Sequence, residues 1–414
     1  MAYPWDVRRL FYVIAVVTCA GLLSGACGGS EPPDVVSNPD AATGKDGQGG
    51  ETGSPDGGAI DASNDGALDV VDPDAPVAPV RLGLRATPAT SDAGVAPGDV
   101  LLAHLSMLSA GARVGIVHAR WDQLFDAPAS PVTTRWANLA TTASAYRGAG
   151  AQLVACLSVV DRAQAARPTG VAGAWNAPAN LQAGRALIDE TFAYFGEELS
   201  VLSLGVEVDR YIAKSSTAER QEFVGFVRHV FDYARQHPAR PSQLSVGIGF
   251  NLSAVVAGPY AEIRELVDAG DVAVVSYVPL TSGFQVDSSN PLSDLDALHS
   301  TLAGEAAPAP PIVLHEVALP SSADVQGSEA KQTAFFDAFF KALAARRQRH
   351  PIVVAAALHD GPQSDCVARA AAAETPPSPA AIAAHCSRGI RAESGMPKQA
   401  QSRVFEALAA FSSP

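Results

Sequence analysis

From Val80 to the C-terminus the chain repeats one unit eight times. A short run of Val, Ile, Leu and Ala is followed by a longer stretch whose apolar residues recur at helical spacing. The apolar runs fall at 80–84, 113–118, 152–159, 201–206, 244–250, 272–277, 312–314 and 352–358. Runs that are apolar at consecutive positions fit strands covered on both faces, and parallel strands need a crossover, usually a helix, between them. The stretches at 100–109, 133–147, 179–195, 217–236, 260–267, 292–302, 331–345 and 400–411 read as those helices. In 217–236, for example, Phe223, Phe226, Val227, Val230 and Phe231 share one face. Eight alternations fit an α/β fold closed as a (β/α)8 TIM barrel better than an open doubly wound sheet. No Gly-rich turn follows the first strand, which argues against a dinucleotide-binding domain. With 47% hydrophobic and 17% charged residues there is apolar material for one large core, so residues 80–414 are expected to form a single domain.

What precedes Val80 has a different character. Arg8 and Arg9, then the apolar run 10–23, read as a signal peptide over 1–26, too short for a comfortable membrane span. Ser24-Gly25-Ala26 brings small residues up to Cys27, and residues 22–29 resemble a bacterial lipoprotein signal with Cys27 as the site of lipid attachment. Ser24 stands where that signal usually has an aliphatic residue, so cleavage after Ala26 without a lipid stays open. An exported protein anchored to a membrane is the expectation. Residues 27–79 are dominated by Gly, Asp, Pro and Ser, and between Glu31 and Asp74 eleven acids face Lys45 alone, about −10 of the formal −14. Such a tract cannot bury enough surface to offset its ordering entropy, and a disordered linker is expected there. The remainder carries no basic patch, so nucleic acid is not expected as a partner.

The strand ends carry the chemistry. Leu202 to Val206 closes on Glu207, with Asp209 just beyond, and Ile312 to Leu314 closes on His315 and Glu316. A carboxylate at the end of a core strand is costly unless it faces a polar cleft. Two of them, at corresponding ends of a strand–helix repeat, suggest the C-terminal face of a barrel. Such a pair is what a retaining glycosidase needs, one acid/base and one nucleophile. Taken around the ring, the strand ends offer Arg85, Trp121, Asp122, Asp161, Glu207, Asp209, Asn251, Tyr277, Glu316, His359 and Asp360 as a sugar-binding set. Each has a plainer reading. Trp121 can cap the core, and Asp122, Asp161 and Asp360 can cap helices. Asn251 can be an ordinary turn residue. Tyr211 and Phe284 read as surface-loop aromatics.

Four segments in order resemble clan A glycoside hydrolases. The Glu207 strand is similar to that clan's acid/base strand, and Glu316-Val317-Ala318-Leu319-Pro320-Ser321-Ser322 to its nucleophile segment. Ser276-Tyr277-Val278-Pro279-Leu280 resembles the sixth-strand segment, and Gly389-Ile390-Arg391 with Gly395 and Pro397-Lys398 resembles the tail of bacterial homologues. Families 53 and 17 have related patterns. The resemblance implies a barrel acting on a β-linked polysaccharide or oligosaccharide, with Glu316 as nucleophile, Glu207 as acid/base and Tyr277 hydrogen-bonded to Glu316. Arg85, Trp121, Asp122, Asp209, Asn251, His359 and Asp360 would bind substrate, without a cofactor and as a monomer. Val206 stands where the clan has an asparagine that donates to the sugar 2-hydroxyl, and Ala318-Leu319 replace Gly-Tyr. Two readings follow: a retaining glycosidase, in which Asn251 supplies the missing amide, or a weakened or inactive barrel that binds carbohydrate at the cell surface.

The cysteines add one constraint. Cys366 and Cys386 flank an Ala/Pro-rich loop and are expected to form a disulfide in an oxidising compartment. Cys156 lies in a central strand and reads as an inert buried thiol. No cysteine–histidine spacing suggests zinc and the nine histidines are scattered, so no metal is expected.

Overall fold

The computed structural model describes residues 79–90, 97–258, 260–303 and 309–412; the expected signal peptide, Cys27 and all but the last residue of the acidic tract lie outside them. The strands are β1 (Arg81–Arg85), β2 (Val114–Arg120), β3 (Gln152–Asp161), β4 (Leu199–Val206), β5 in two pieces (Ser245–Gly247 and Gly249–Asn251), β6 (Ala273–Tyr277), β7 (Ile312–Val317) and β8 (Ile352–His359). The helices that follow them are α1 (Pro97–Ser109), α2 (Thr133–Gly148), α3 (Pro178–Tyr194), α4 (Thr217–Gln236), α5 (Tyr260–Ala269), α6 (Pro291–Ala303), α7 (Glu329–Ala344) and α8 (Ala400–Ser412). Each strand pairs in parallel with the next. β8 pairs with β1, Arg81 opposite Ile352, so the ring closes as a (β/α)8 barrel.

The break in β5 has a physical cause. Its first piece pairs with β4 and its second with β6. A Cβ on Gly247 would lie 2.6 Å from the carbonyl oxygen of Val272, and one on Gly249 2.6 Å from that of Gly205. Glycine at both positions lets the neighbouring strands close in where a side chain would hold them off.

Period-two alternation sorts the side chains into two cores. Val114, Ile116, Val154, Cys156, Val201, Val274, Val313, Ile352 and Val354 cluster together, and Cys156 of β3 reaches His315 of β7 across the ring, Sγ to Nδ1 at 3.9 Å. These residues fill the barrel. The alternate residues, among them Leu153, Leu202, Val275, Leu314 and Val353, pack outward with the helices. The α4 face is fully buried and lies over Trp121 and Trp175, whose ring centroids are 5.9 and 5.1 Å from that of Phe226. Burying a Phe of this kind contributes roughly 2–3 kcal/mol before packing terms.

Between β8 and α8 the chain builds a roof over the C-terminal mouth. Residues expected as a flexible loop form two helices, Gln363–Ala373 and Pro379–Cys386. Their alanine content favours helix. Ser378 caps the second by accepting from the Ala381 N–H, with Pro379 in its first turn. Cys366 and Cys386 are disulfide-bonded, with Cα atoms 5.2 Å apart, as expected. The chain then returns along β8 as a short parallel strand, Gly389–Arg391.

Candidate functional site

Glu207 and Glu316 both come to the C-terminal mouth, both buried. Glu207 follows β4 with φ at +47°, a conformation uncommon outside glycine that turns the chain off the strand. Its Oε2 lies 3.1 Å from Arg210 Nε and 3.8 Å from Arg162 Nε. Burial pushes the Glu207 carboxyl up, but Arg162, Arg210 and Arg388 more than offset it, and the net shift is downward. Glu316 Oε1 accepts from Arg388 Nη1 at 3.0 Å and sits 3.8 Å from Arg85 Nη1. Here too burial raises the carboxyl, and Arg388, Arg85, Arg162 and Arg369 overcome it, leaving it well below the ordinary range. Glu207 also feels the charge of Glu316, and both glutamates feel Arg162. The mouth therefore holds two ionised carboxylates in a frame of arginines.

The arginines arrive by local rules that the strand pattern does not announce. Arg162 sits at φ +55° in the hairpin that folds Gln164–Ala165 back on β3, and its N–H donates to the Val206 carbonyl, pinning the ends of β3 and β4 together. Arg210 is the second residue of the short helix Asp209–Ile212 beyond Glu207, and its guanidinium lies over the Phe284 ring. Arg388 leaves the roof just after Cys386, anchored by Nε to the Ala384 carbonyl. Sequence reasoning found Glu207, Glu316 and Arg85 but missed Arg162, Arg210, Arg369 and Arg388. The nearest signals were Arg162 beside the Asp161 strand end and Arg388 beside the Gly389-Ile390-Arg391 segment.

Two spaces adjoin this frame. Beside Glu316, the roof leaves a void of about 10 Å³ bordered by His359, Cys366, Cys386, Arg369 and Arg388, room for one water at most. Towards β1–β3 lies a cavity of about 470 Å³, lined by Arg85, His118, Arg120, Ser158, Asp161, Arg162 and Arg369 among others. Arg369, on the first roof helix, borders both.

Several expected residues do other work. Tyr277 does not reach Glu316. Ser276 stands opposite Glu316 in the register, and Tyr277, one residue on, turns outward, donating from its hydroxyl to Asp294 Oδ2 at 2.5 Å on α6 beside Phe335 and Phe339 of α7. Trp121 is no sugar platform; it is buried against Phe226. Asp122 is exposed and forks onto Arg120, at 2.7 and 3.1 Å. Asn251 caps the helix Leu252–Val256, its Oδ1 accepting from the Ser253 N–H and hydroxyl, while its own N–H donates to Asp209 Oδ1. That amide oxygen is thus spent on the turn. His359 Nδ1 pairs with the Thr87 carbonyl at 2.7 Å. Asp360 is a structural anchor, holding Lys398 Nζ and the Gly389 N–H where the return strand meets β8. Tyr211 and Phe284, expected on surface loops, are buried: Tyr211 accepts from Trp175 Nε1, and Phe284 packs under the roof helices.

One convergence was invisible to sequence spacing. His118 on β2, Cys156 on β3 and His315 on β7 bring their ligand atoms within 4.8 Å of one another inside the barrel. The donor set suits a soft or borderline metal. Burial, then the charge of Arg85, keeps His118 neutral against the opposing pull of Glu316, and burial holds the Cys156 thiol up at about 12. The approach is through a cavity walled by four arginines, which opposes entry of a cation. The trio accordingly serves here as a neutral floor beneath the arginine frame.

No family model matches the chain, and no curated protein matches it in sequence. Solved structures do resemble it. An exo-β-1,4-mannosidase from Opitutaceae bacterium strain TAV5 superposes with a TM-score of 0.59 at 17% identity over 81% of this chain, which spans only 60% of the mannosidase. A GH5_18 protein of Bifidobacterium longum subsp. longum, solved with Manβ1-4GlcNAc, gives 0.60 at 16% identity, covering 81% of this chain and 79% of that one. A GH5_18 protein of Streptomyces cattleya, solved with GlcNAc, gives 0.60 at 14% identity, covering 82% of each chain. At these identities the likeness carries the fold: this chain is built on the same (β/α)8 barrel as GH5 glycoside hydrolases.

Proposed function

We propose that the protein is an exported glycosidase-type barrel that binds a β-linked glycan at its C-terminal mouth, with Glu316 as nucleophile and Glu207 as acid/base. The observation that carries this is the pair itself: two buried glutamates, one ending β4 and one ending β7, in a shared field of arginines. Glu316 is equipped for its half of the reaction, because a nucleophile must be ionised and Arg388 and Arg85 keep it so. It would bond to the anomeric carbon as the leaving oxygen departs with a proton from Glu207. Water, deprotonated by Glu207, would then release the sugar. Val206 supplies no amide donor, so on this reading the 2-hydroxyl contact of the clan must come from a donor elsewhere at the mouth.

A second reading has its own support. Arg162 and Arg210 hold Glu207 ionised, which unfits it to give a proton, and the void at Glu316 is too small for a sugar ring until the roof parts. A barrel left in that state binds glycan without cutting it. An activated glycoside separates the two. Dinitrophenyl 2-fluoro glycosides of glucose, mannose and galactose need no acid to expel the leaving group, and they trap a working nucleophile as a stable ester. Intact-mass and peptide mapping should find one sugar on the Glu316 peptide, absent in Glu316→Gln. If no glycoside labels the protein while a β-glycan binds it in calorimetry, the binding reading stands and the hydrolase reading falls.

A further inference from the structure

One cavity at the mouth is walled by arginines. Its volume of about 470 Å³ falls in the range of small-ligand pockets. Four arginines, Arg85, Arg120, Arg162 and Arg369, face two acids, Asp161 and Asp365. The commitments of those arginines differ. Arg120 is held by Asp122 and, at 3.6 Å, by Asp161. Arg162 gives Nη1 to Asp161 at 2.7 Å, but its Nε has no hydrogen-bond acceptor although the side chain is only 4% exposed. Arg369 makes no ion pair within 4.0 Å with any described residue. Buried donors without acceptors are rare because each forfeits its solvation. Arg162 carries such a donor, and the half-buried Arg369 adds a guanidinium without an ion-pair partner to the same cavity.

From this geometry we infer that the cavity takes the carboxylate of an acidic sugar, so that the glycan bound at the mouth contains uronic acid units. The inference rests on the glycan reading above and narrows it. A guanidinium fork matches a planar carboxylate, and a neutral hydroxyl cannot compensate its charge. Burial, then the nearby charge of Arg85, pushes the Arg369 guanidinium down to about 9, and an incoming anion relieves both penalties. The His118 ring at the cavity wall is neutral and can donate without adding repulsion.

The test is calorimetry on the full chain with oligogalacturonate and oligoglucuronate, each against its carboxyl-reduced neutral counterpart. The acidic chain should bind at least tenfold more tightly, with an affinity that falls as salt rises. Arg369→Gln should erase most of that preference, and Arg369→Lys should keep part of it. Arg369 lies on an outer roof helix, and an unchanged melting temperature in both variants separates ligand effects from folding. Equal or tighter binding of the neutral chain, or a preference that survives in Arg369→Gln, overturns the inference and leaves the glycan reading standing. If neither form of any chain binds, both fall.

Discussion

Asp209 stands two residues past Glu207, and burial, then the charge of Glu207, push its carboxyl up to about 7. A folded value above the unfolded one of about 3.9 means that the folded state binds the extra proton between those two points, so stability declines as pH rises through that window. Asp209→Asn keeps an oxygen to accept from the Asn251 N–H and removes the penalty. Thermal melts should coincide with wild type below about pH 4, diverge between 4 and 7, and show the variant more stable above 7 by on the order of 1–2 kcal/mol. A variant less stable than wild type at pH 8 contradicts this. Glu207 runs the other way: held below its ordinary range, it contributes stability above the unfolded value that is lost as pH falls. At this scale the sequence spoke through strand ends alone. Glu207 and Glu316 could be read because an acid closing an apolar run has few reasons to be there. Tyr277 misled, since alternation puts Ser276 in register with Glu316 and sends the next side chain to α6. Arg369 and Arg388 lie in a segment with no strand or helix period that ties it to the mouth.

Among the elements, the roof is where structure added most. Its two helices are joined by Cys366–Cys386 across a separation of 20 residues, and Arg388 follows the bridge directly. Closing a loop of that size removes about 3 kcal/mol of unfolded-state freedom in the chain-entropy view. Replacing both cysteines with serine should lower stability by up to that amount. Hydrogen exchange should quicken across 363–388 while β2 and β3 stay protected; uniform exchange through both regions rules out a locally tethered roof. The disulfide was readable from two cysteines flanking one loop in a chain expected to be exported, whereas the helices were hidden because Pro residues that mark loops elsewhere here start or separate them. The barrel elements were far more legible. α4 has the bounds its periodicity gives, because one apolar face and the Ser216 cap leave no other solution. β5 was read as continuous, since an apolar pattern cannot show where Gly247 and Gly249 let neighbours crowd in.

Across the whole molecule, charge is segregated. The chain carries a formal −14, yet the closed ring gathers its buried guanidinium groups at one mouth, where four elements from distant parts of the sequence meet. Apart from the break in β5, every strand of the ring is paired along both edges, so the mouth is shaped by loops on a stiff frame. That arrangement gives Arg162 three obligations at once: to Asp161, to Glu207 and to whatever enters the cavity. An anion that draws Arg162 away from Glu207 raises the proton affinity of that carboxyl. Ligand and proton then become coupled solutes of one equilibrium, each drawing in the other by the same factor. An acidic glycan would in this way arm the acid needed to cleave it, and a neutral one would leave it disarmed. Titrations near pH 5 in two buffers of different ionisation heat should show net proton uptake, at most about one per ligand, for the acidic chain only; identical heats in both buffers would mean that Arg162 never lets go.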